Sequence, residues 1–125
     1  MLVASSCLST EEVESFRLLN EERQRHGLET LANNEQLNAK AQAWARAMAD
    51  SRQLSHSVLS DGAPPGWRLL AENVGVGPNV ARVASGFLDS PPHRASLLSP
   101  NFSEVGIGVA QGSDGRYYVV HVFMD

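Results

Sequence analysis

The hydrophobic pattern changes its period near residue 104, and this change constrains the fold more than any other feature. Upstream, apolar residues recur at the three- and four-residue spacing of helices, whereas residues 105–109 and 117–123 alternate with a period of two. Residues 112–115 read Gly-Ser-Asp-Gly between these runs, which is typical of a tight turn. The sequence therefore predicts a C-terminal antiparallel hairpin covered by the preceding helices, which is an α+β arrangement.

Capping residues mark the starts of four predicted helices: Ser9, Asn33 or Asn34, Asn79 and Ser90. The first helix should end near Gly27 and the second near Arg52. Residues 57–70 are rich in turn-forming residues and predict a loop, and residues 71–76 predict a brief strand. Pro91 stands at the first position of the fourth helix, where proline is well tolerated.

Length and charge exclude several classes of protein. The 125 residues suit one domain, which we place at residues 10–125 after a tail at residues 1–9. The net charge is −4 and no cluster of lysine and arginine occurs, so nucleic acid is not an expected partner. No apolar run approaches the roughly 18 residues of a membrane-spanning helix, so the chain is not expected to be transmembrane.

Cys7 is the only cysteine, so the fold has no internal disulfide and depends on its hydrophobic core. Residues 1–7 are small and mostly apolar. They fit three interpretations: the remnant of a signal peptide, a weak lipid-attachment site at Cys7, or an artificial start of the chain. The sequence leaves all three open.

Three side chains are candidates for chemistry because they stand where predicted elements end. His56 follows the second helix, His93 lies at the start of the fourth, and Glu72 lies in the predicted strand. Two imidazoles and a carboxylate suit a divalent metal such as zinc, with water in the open position. Spacing alone does not show that they meet, so three unconnected polar residues that bond loops remain the alternative.

Five short motifs occur in one order: Leu19-Asn20-x-x-Arg23, Leu54-Ser55-His56-Ser57, residues 71–75 (Ala-Glu-Asn-Val-Gly), residues 87–94 (Phe-Leu-Asp-Ser-Pro-Pro-His-Arg) and residues 105–109 (Val-Gly-Ile-Gly-Val). Each motif is weak alone, but the series resembles the bacterial branch of the CAP superfamily. That superfamily joins cysteine-rich secretory proteins, antigen 5 and pathogenesis-related 1 proteins, and its domain is also called the SCP domain. The resemblance covers about residues 11–124.

The resemblance implies an α-β-α sandwich with a central cleft, which relatives line with two histidines and, in eukaryotic members, two acidic residues. By motif, the histidines are His56 and His93, and one acidic residue is Glu72. The second acidic position falls at about Ser90, so this chain lacks the fourth member of the set. We expect Asn73, also at the cleft, to bond loop backbone.

A further histidine, His121, stands in the last predicted strand, where relatives frequently carry glutamine. If its side of the strand faced inward, it would add a third imidazole to the cleft. We favour the other interpretation, a polar residue on a solvated face of the strand.

Two classes of function follow from the cleft residues. A binding module would hold a divalent metal, or the polar head of a small-molecule or lipid ligand, through His56 and His93, with Glu72 orienting an imidazole. A hydrolase would use the same three residues as catalytic candidates, with Ser57 or Ser90 as nucleophile or with a metal-activated water. Binding is favoured because no Gly-x-Ser-x-Gly motif is present. The resemblance further implies a secreted, extracellular monomer, with association to the cell envelope as a variant.

Overall fold

A computed structural model describes residues 8–125. The elements in chain order are α1 (Thr10–Arg25), β1 (Ala32–Asn33), α2 (Glu35–Ser51), β2 (Leu70–Gly77), α3 (Val80–Asp89), α4 (Pro91–Leu97), β3 (Glu104–Gln111) and β4 (Tyr117–Met124). The predictions for Cys7 and the other residues of 1–7 concern residues outside this range. Across residues 8–125, no helix combines the length and the apolar character that a membrane crossing requires.

The helices begin where their capping residues predict. Ser9 Oγ accepts the backbone N–H of Glu12, and the Glu12 carboxylate accepts that of Ser9, which completes the capping box of α1. The side chains of Asn34 and Asn79 accept backbone N–H groups at the starts of α2 and α3. α2 ends at Arg52, which adopts the left-handed conformation with φ 56°. These interactions are local, and for that reason they are visible in the sequence.

The four strands form one sheet in the order β1-β3-β4-β2. β3 and β4 form the predicted antiparallel hairpin, and β2 pairs antiparallel with β4 along its whole length. β2 covers 8 residues and is longer than the predicted strand at 71–76. β1 was not predicted, because its 2 residues are too few to show a period; it pairs parallel with β3.

One face of the sheet packs mainly against α2, and the buried side chains of this contact are hydrophobic. Gly106 and Gly108 of β3 face this helix directly. A Cβ on Gly106 would lie 2.2 Å from the carbonyl carbon of Leu37, and one on Gly108 would lie 2.3 Å from that of Ala41. The two glycines are therefore what allows the α2 backbone to lie against β3. This face of the core consists of Leu37, Ala41, Ala45, Met48, Ala49, Val74, Ala110, Tyr118, Val120, Val122 and Met124.

The opposite face packs against α1, α3 and α4. Its core consists of Leu19, Leu31, Val80, Val83, Phe87, Leu97, Val105, Ile107, Val109, Val119 and Phe123. Helices thus cover both faces of the sheet, and the predicted α-β-α sandwich is confirmed. Of the described polar residues, those buried as whole residues all belong to this second side: Glu12, Ser15, Arg23, Asn73 and His121.

His121 does not lie on a solvated face, and that prediction is wrong. It is only 1% exposed, because β4 is an inner strand and its face toward α1 and α3 is covered. Its Nε2 lies 2.8 Å from Ser15 Oγ, and its ring packs edge-on against Phe87 and Phe123. Its Nδ1 is the only buried side-chain nitrogen or oxygen in residues 8–125 without a hydrogen-bond partner.

Candidate functional site

Glu72 organises the site from within β2. Its side chain is 3% exposed, and both carboxylate oxygens are engaged by the loop that follows α2. Oε1 lies 2.8 Å from His56 Nδ1 and accepts the Ser57 backbone N–H at 2.9 Å, while Oε2 accepts the Ser57 hydroxyl. Since a carboxylate only accepts hydrogen bonds, Nδ1 of His56 carries a hydrogen and Nε2 is the nitrogen left for a ligand.

Two side chains of α2 fix the loop that carries His56. Trp44 Nε1 donates to the Ser55 carbonyl at 2.7 Å, and Lys40 Nζ donates to the Val58 carbonyl at 3.0 Å. Neither residue was predicted from the sequence to belong to the site. The one signal that could have identified them is their spacing of four residues, which places them on the same face of α2.

His93 is held from the other side of the sheet. Its Nδ1 lies 2.7 Å from Ser90 Oγ, and its ring lies 5.1 Å from the ring of Phe87. Its carbonyl accepts a hydrogen bond from Asn73 Nδ2 at 3.0 Å, which fastens α4 to β2. Asn73 therefore bonds backbone as expected, although that backbone belongs to a helix. Ser90 precedes α4 but makes no side-chain cap bond, because its hydroxyl is directed to His93.

The two histidines are held by neighbouring residues of β2, His56 through Glu72 and His93 through Asn73. Glu72 and Asn73 are consecutive, so their side chains point to opposite faces of the sheet. His56 consequently approaches from the α2 side and His93 from the α4 side. Burial lowers the pKa of His93 below its ordinary value of 6.5, repulsion from His56 lowers it further, and a hydrogen bond to the Val74 backbone acts in the opposite direction. Both effects that lower the pKa favour the neutral form of His93.

The predicted residues thus form two linked pairs. His56 contacts Glu72, and His93 contacts Ser90, whereas within the described part of the chain Glu72 makes no hydrogen bond to His93. Residues 8–125 also contain no group of three or more His, Cys, Asp or Glu side chains placed to hold one metal ion. Ser57, considered as a nucleophile, donates to Glu72, and within residues 8–125 its hydroxyl makes no hydrogen bond to an imidazole. The arrangement therefore offers two imidazole nitrogens, with Glu72 as an orienting residue.

Comparisons with known proteins agree with this architecture. The family model for CAP, the cysteine-rich secretory protein family, matches residues 16–123. The chain is similar to the uncharacterized protein YkwD of Bacillus subtilis (strain 168), with 29% identity over 117 residues that cover 86% of this chain and 46% of that protein. It is also similar to the Golgi-associated plant pathogenesis-related protein 1 of Homo sapiens, with 31% identity over 119 residues, 86% of this chain and 77% of that protein.

A solved structure shares the fold. It is an extracellular protein containing an SCP domain from Bacillus anthracis str. Ames, with a TM-score of 0.79, 27% identity, and coverage of 91% of this chain and 40% of that chain. This chain thus spans less than half the length of both Bacillus proteins. The family match extends over all the site residues described above, from His56 to His93. The chain belongs to the CAP family of cysteine-rich secretory proteins.

Proposed function

We propose that this chain is a secreted binding module that takes a divalent cation, zinc in the first instance, between the imidazoles of His56 and His93. The observation that carries the proposal is the Glu72–His56 contact at 2.8 Å. A carboxylate that holds Nδ1–H fixes the ring and makes Nε2 a better metal ligand. The His56 side chain is 63% exposed, so this nitrogen is accessible from solvent.

The residues fit a cation bound by few protein atoms. Two imidazoles leave two positions of a tetrahedral zinc ion for water or for donor atoms of a ligand, unlike a closed structural site with four protein ligands. When bound, such an ion would supply Lewis acidity to a molecule at the cleft. The chain's own part is to keep the two rings neutral and oriented, which Glu72 does for His56 and burial favours for His93.

Zinc calorimetry on the full chain tests the proposal. We expect His56→Ala and His93→Ala each to weaken binding by more than roughly tenfold, because each removes a direct ligand. His26→Ala is the matched control, since that partly exposed histidine bonds Glu22 and Arg94 and should leave the affinity unchanged. Protonation of the rings competes with the metal, so affinity should fall below about pH 6. Equal affinity in all three variants, or no loss at pH 5, would contradict the proposal.

A ligand with an apolar part is supported by the surface beside the site. A cavity of about 390 Å³ is lined by Leu59, Trp67, Leu69 and Leu70, among others. Leu70 lies two residues before Glu72 on β2, and therefore on the same face of the strand. A small amphiphile could place its head at the imidazoles and its chain in this cavity. Decanoate added to the zinc titration should then strengthen zinc binding, and Leu69→Ser should remove that effect.

Secretion is supported by the family description and by the extracellular SCP-domain protein that shares the fold. Fractionation of cells that make the native full-length protein tests it. Recovery from the medium or from the cell surface is the expected result. Recovery from the cytosol alone would exclude an extracellular module.

A hydrolase is the second candidate, because Ser90 Oγ and His93 Nδ1 lie 2.7 Å apart as a nucleophile and base would. It is the less favoured function, since Glu72 is committed to His56 and within residues 8–125 no carboxylate orients His93. Cleavage of p-nitrophenyl acetate that Ser90→Ala abolishes, while the fold persists, would establish the hydrolase instead.

A further inference from the structure

The sequence contains the tripeptide Ser-Asp-Gly twice, at residues 60–62 and 113–115. Both copies lie in exposed turns, and their glycines have nearly the same backbone conformation, with φ 78° at Gly62 and φ 81° at Gly115. The two copies therefore match in sequence, in exposure and in glycine conformation. They differ in the hydrogen bonds made by the aspartate side chain and by the glycine N–H.

In the second copy both of these groups are engaged. Asp114 Oδ1 accepts the backbone N–H of Arg116 at 3.0 Å, and Oδ2 accepts hydrogen bonds from Arg116 Nε at 3.0 Å and from the Tyr118 hydroxyl at 2.9 Å. The Gly115 N–H donates to the Gly112 carbonyl at 2.9 Å. The carboxylate is thus fixed toward β4, and the proton of the glycine nitrogen is held in a hydrogen bond.

In the first copy neither group is engaged by the described chain. Within residues 8–125 the Asp61 carboxylate makes no hydrogen bond, and the Gly62 N–H has no acceptor. The contacts of this turn use other groups. The Asp61 N–H donates to the Val58 carbonyl at 3.0 Å, and the Gly62 carbonyl accepts Gln36 Nε2 at 3.4 Å. The carboxyl carbon and the glycine nitrogen can therefore approach each other without breaking these contacts.

An aspartate followed by glycine reacts with its own backbone when these two groups meet, since glycine has no Cβ to obstruct the approach. The glycine nitrogen forms a bond to the side-chain carboxyl carbon, and its proton leaves with the hydroxyl of the protonated carboxyl group as water. Water then opens the five-membered succinimide at either carbonyl. Opening at the main-chain carbonyl gives isoaspartate, in which the chain continues through the former side chain. One water is lost and one is added, so the mass does not change.

We propose that Asp61-Gly62 is a site of spontaneous modification to isoaspartate, and that Asp114-Gly115 is protected from the same reaction by its hydrogen bonds. Water is the only co-reactant. The two sites have the same local chemistry, so the folded structure alone selects between them. The inference does not rest on the proposed function.

The modification changes the loop that carries one of the site histidines. Asp61 lies between His56 and Glu72 in the chain, and isoaspartate lengthens the main chain of this loop by one carbon. The added carbon falls inside a turn that the Ala63 N–H closes on the Ser60 carbonyl at 3.2 Å. The reaction therefore opens this turn.

Ageing of the full chain at pH 7 and about 37 °C, followed by trypsin digestion, tests the proposal. Cleavage after arginine separates the two pairs into peptides of residues 53–68 and 95–116. Each peptide is compared by chromatography with a synthetic isoaspartyl standard. In the folded chain, isoaspartate should form at least about tenfold faster at Asp61 than at Asp114, because Asp114 must first leave its hydrogen bonds.

Two controls accompany this measurement. In guanidinium chloride the unfolded chain should modify both aspartates at similar rates, because their tripeptides are identical. Asp61→Glu should abolish the modification of peptide 53–68 and leave peptide 95–116 unchanged, since glutamate would have to close a larger ring.

Equal rates at the two aspartates of the folded chain, or a faster reaction at Asp114, would overturn the inference, because the hydrogen bonds would then not protect Asp114. Isoaspartate that forms at Asp61 only after unfolding would also overturn it, because the folded turn would then keep the carboxyl carbon away from the Gly62 nitrogen. No metal is added in this experiment, so its result stands apart from that of the zinc titration.

Discussion

The two faces of the sheet bury similar numbers of side chains but differ in chemistry. Against α2 the contact is apolar, and it depends on the missing side chains of Gly106 and Gly108. Against α1, α3 and α4 the core also contains polar groups, among them Ser15, Asn73 and His121. Apolar packing requires matching shape, whereas each buried polar group requires a partner.

This difference in chemistry indicates which face of the sheet is connected to the site. On the polar side, Asn73 bonds the backbone of His93, and the Phe87 ring lies 5.1 Å from the rings of both His93 and His121. The α2 side contributes the support of the His56 loop through Lys40 and Trp44 at its surface. The ionisable member of its core cluster is Tyr118, whose hydroxyl bonds Asp114 and Arg116 rather than the site. We therefore expect mutations in the α2 core to change stability alone, and mutations in the polar core to change both pH response and the site.

The largest effect is expected from Gly108→Val. A Cβ at this position would lie 2.3 Å from the carbonyl carbon and oxygen of Ala41, and helix backbone cannot yield as a flexible side chain can. The cost should exceed about 3 kcal/mol, the usual upper range for overpacked cores. Urea denaturation followed by circular dichroism measures it.

Gly86→Ala is the matched control for this substitution. Gly86 lies within α3, and a Cβ there would meet no atom of the described residues within 4 Å. Alanine should therefore raise the free energy of unfolding by up to about 1 kcal/mol. If Gly108→Val unfolds at the same urea concentration as the wild type, the packing of α2 on β3 does not require a glycine at this position.

The next largest effect is a loss of folding stability in acid that depends on His121. Burial lowers its pKa to about 3, and the charge of His93 acts in the same direction. Below about pH 6.5 the unfolded chain takes up a proton at this residue and the folded chain does not, so stability falls as the pH falls toward 3. Between pH 7 and pH 5 the loss due to His121 should be about 2 kcal/mol, and His121→Gln should remove that part of the total loss.

The measurement is the free energy of unfolding at both pH values for wild type and variant. His26→Gln serves as control, because that ring is partly exposed at the end of α1. It should retain the full wild-type loss. An equal loss in wild type and His121→Gln would mean that His121 is protonated in the folded protein without cost, and would remove the distinction between the two faces.

The sequence predicts those parts of the fold that have local causes. The caps at Ser9, Asn34 and Asn79 act within three residues, and the hairpin alternation needs only its own turn. β1 was missed because its pairing with β3 joins residues 72 positions apart, such as Asn33 and Val105. The burial of His121 was missed because the covering helix lies 106 residues away at Ser15.

The site was predictable only as a set of residues. The motifs name His56, Glu72 and His93, but the split into a Glu72–His56 pair and a Ser90–His93 pair depends on which face of β2 each side chain occupies. The face that each side chain of β2 occupies is set by the pairing of β2 with β4 in the folded sheet. Hydrogen-bond partners are likewise a result of three-dimensional contacts, so spacing alone could not reveal them.

The smallest effect is expected from Asn73→Ala, at the junction between the polar core and the site. The substitution removes the bond from Asn73 Nδ2 to the His93 carbonyl at 3.0 Å, and should cost about 1 kcal/mol. It should also speed amide hydrogen exchange in α4, because that bond fastens the helix to β2. Asn101→Ala is the control, because this exposed asparagine follows the same helix and bonds Ser99 through its backbone N–H. If the two variants exchange α4 amides at the same rate, the polar core does not support the position of His93, and the site depends on α4 packing through Phe87 instead.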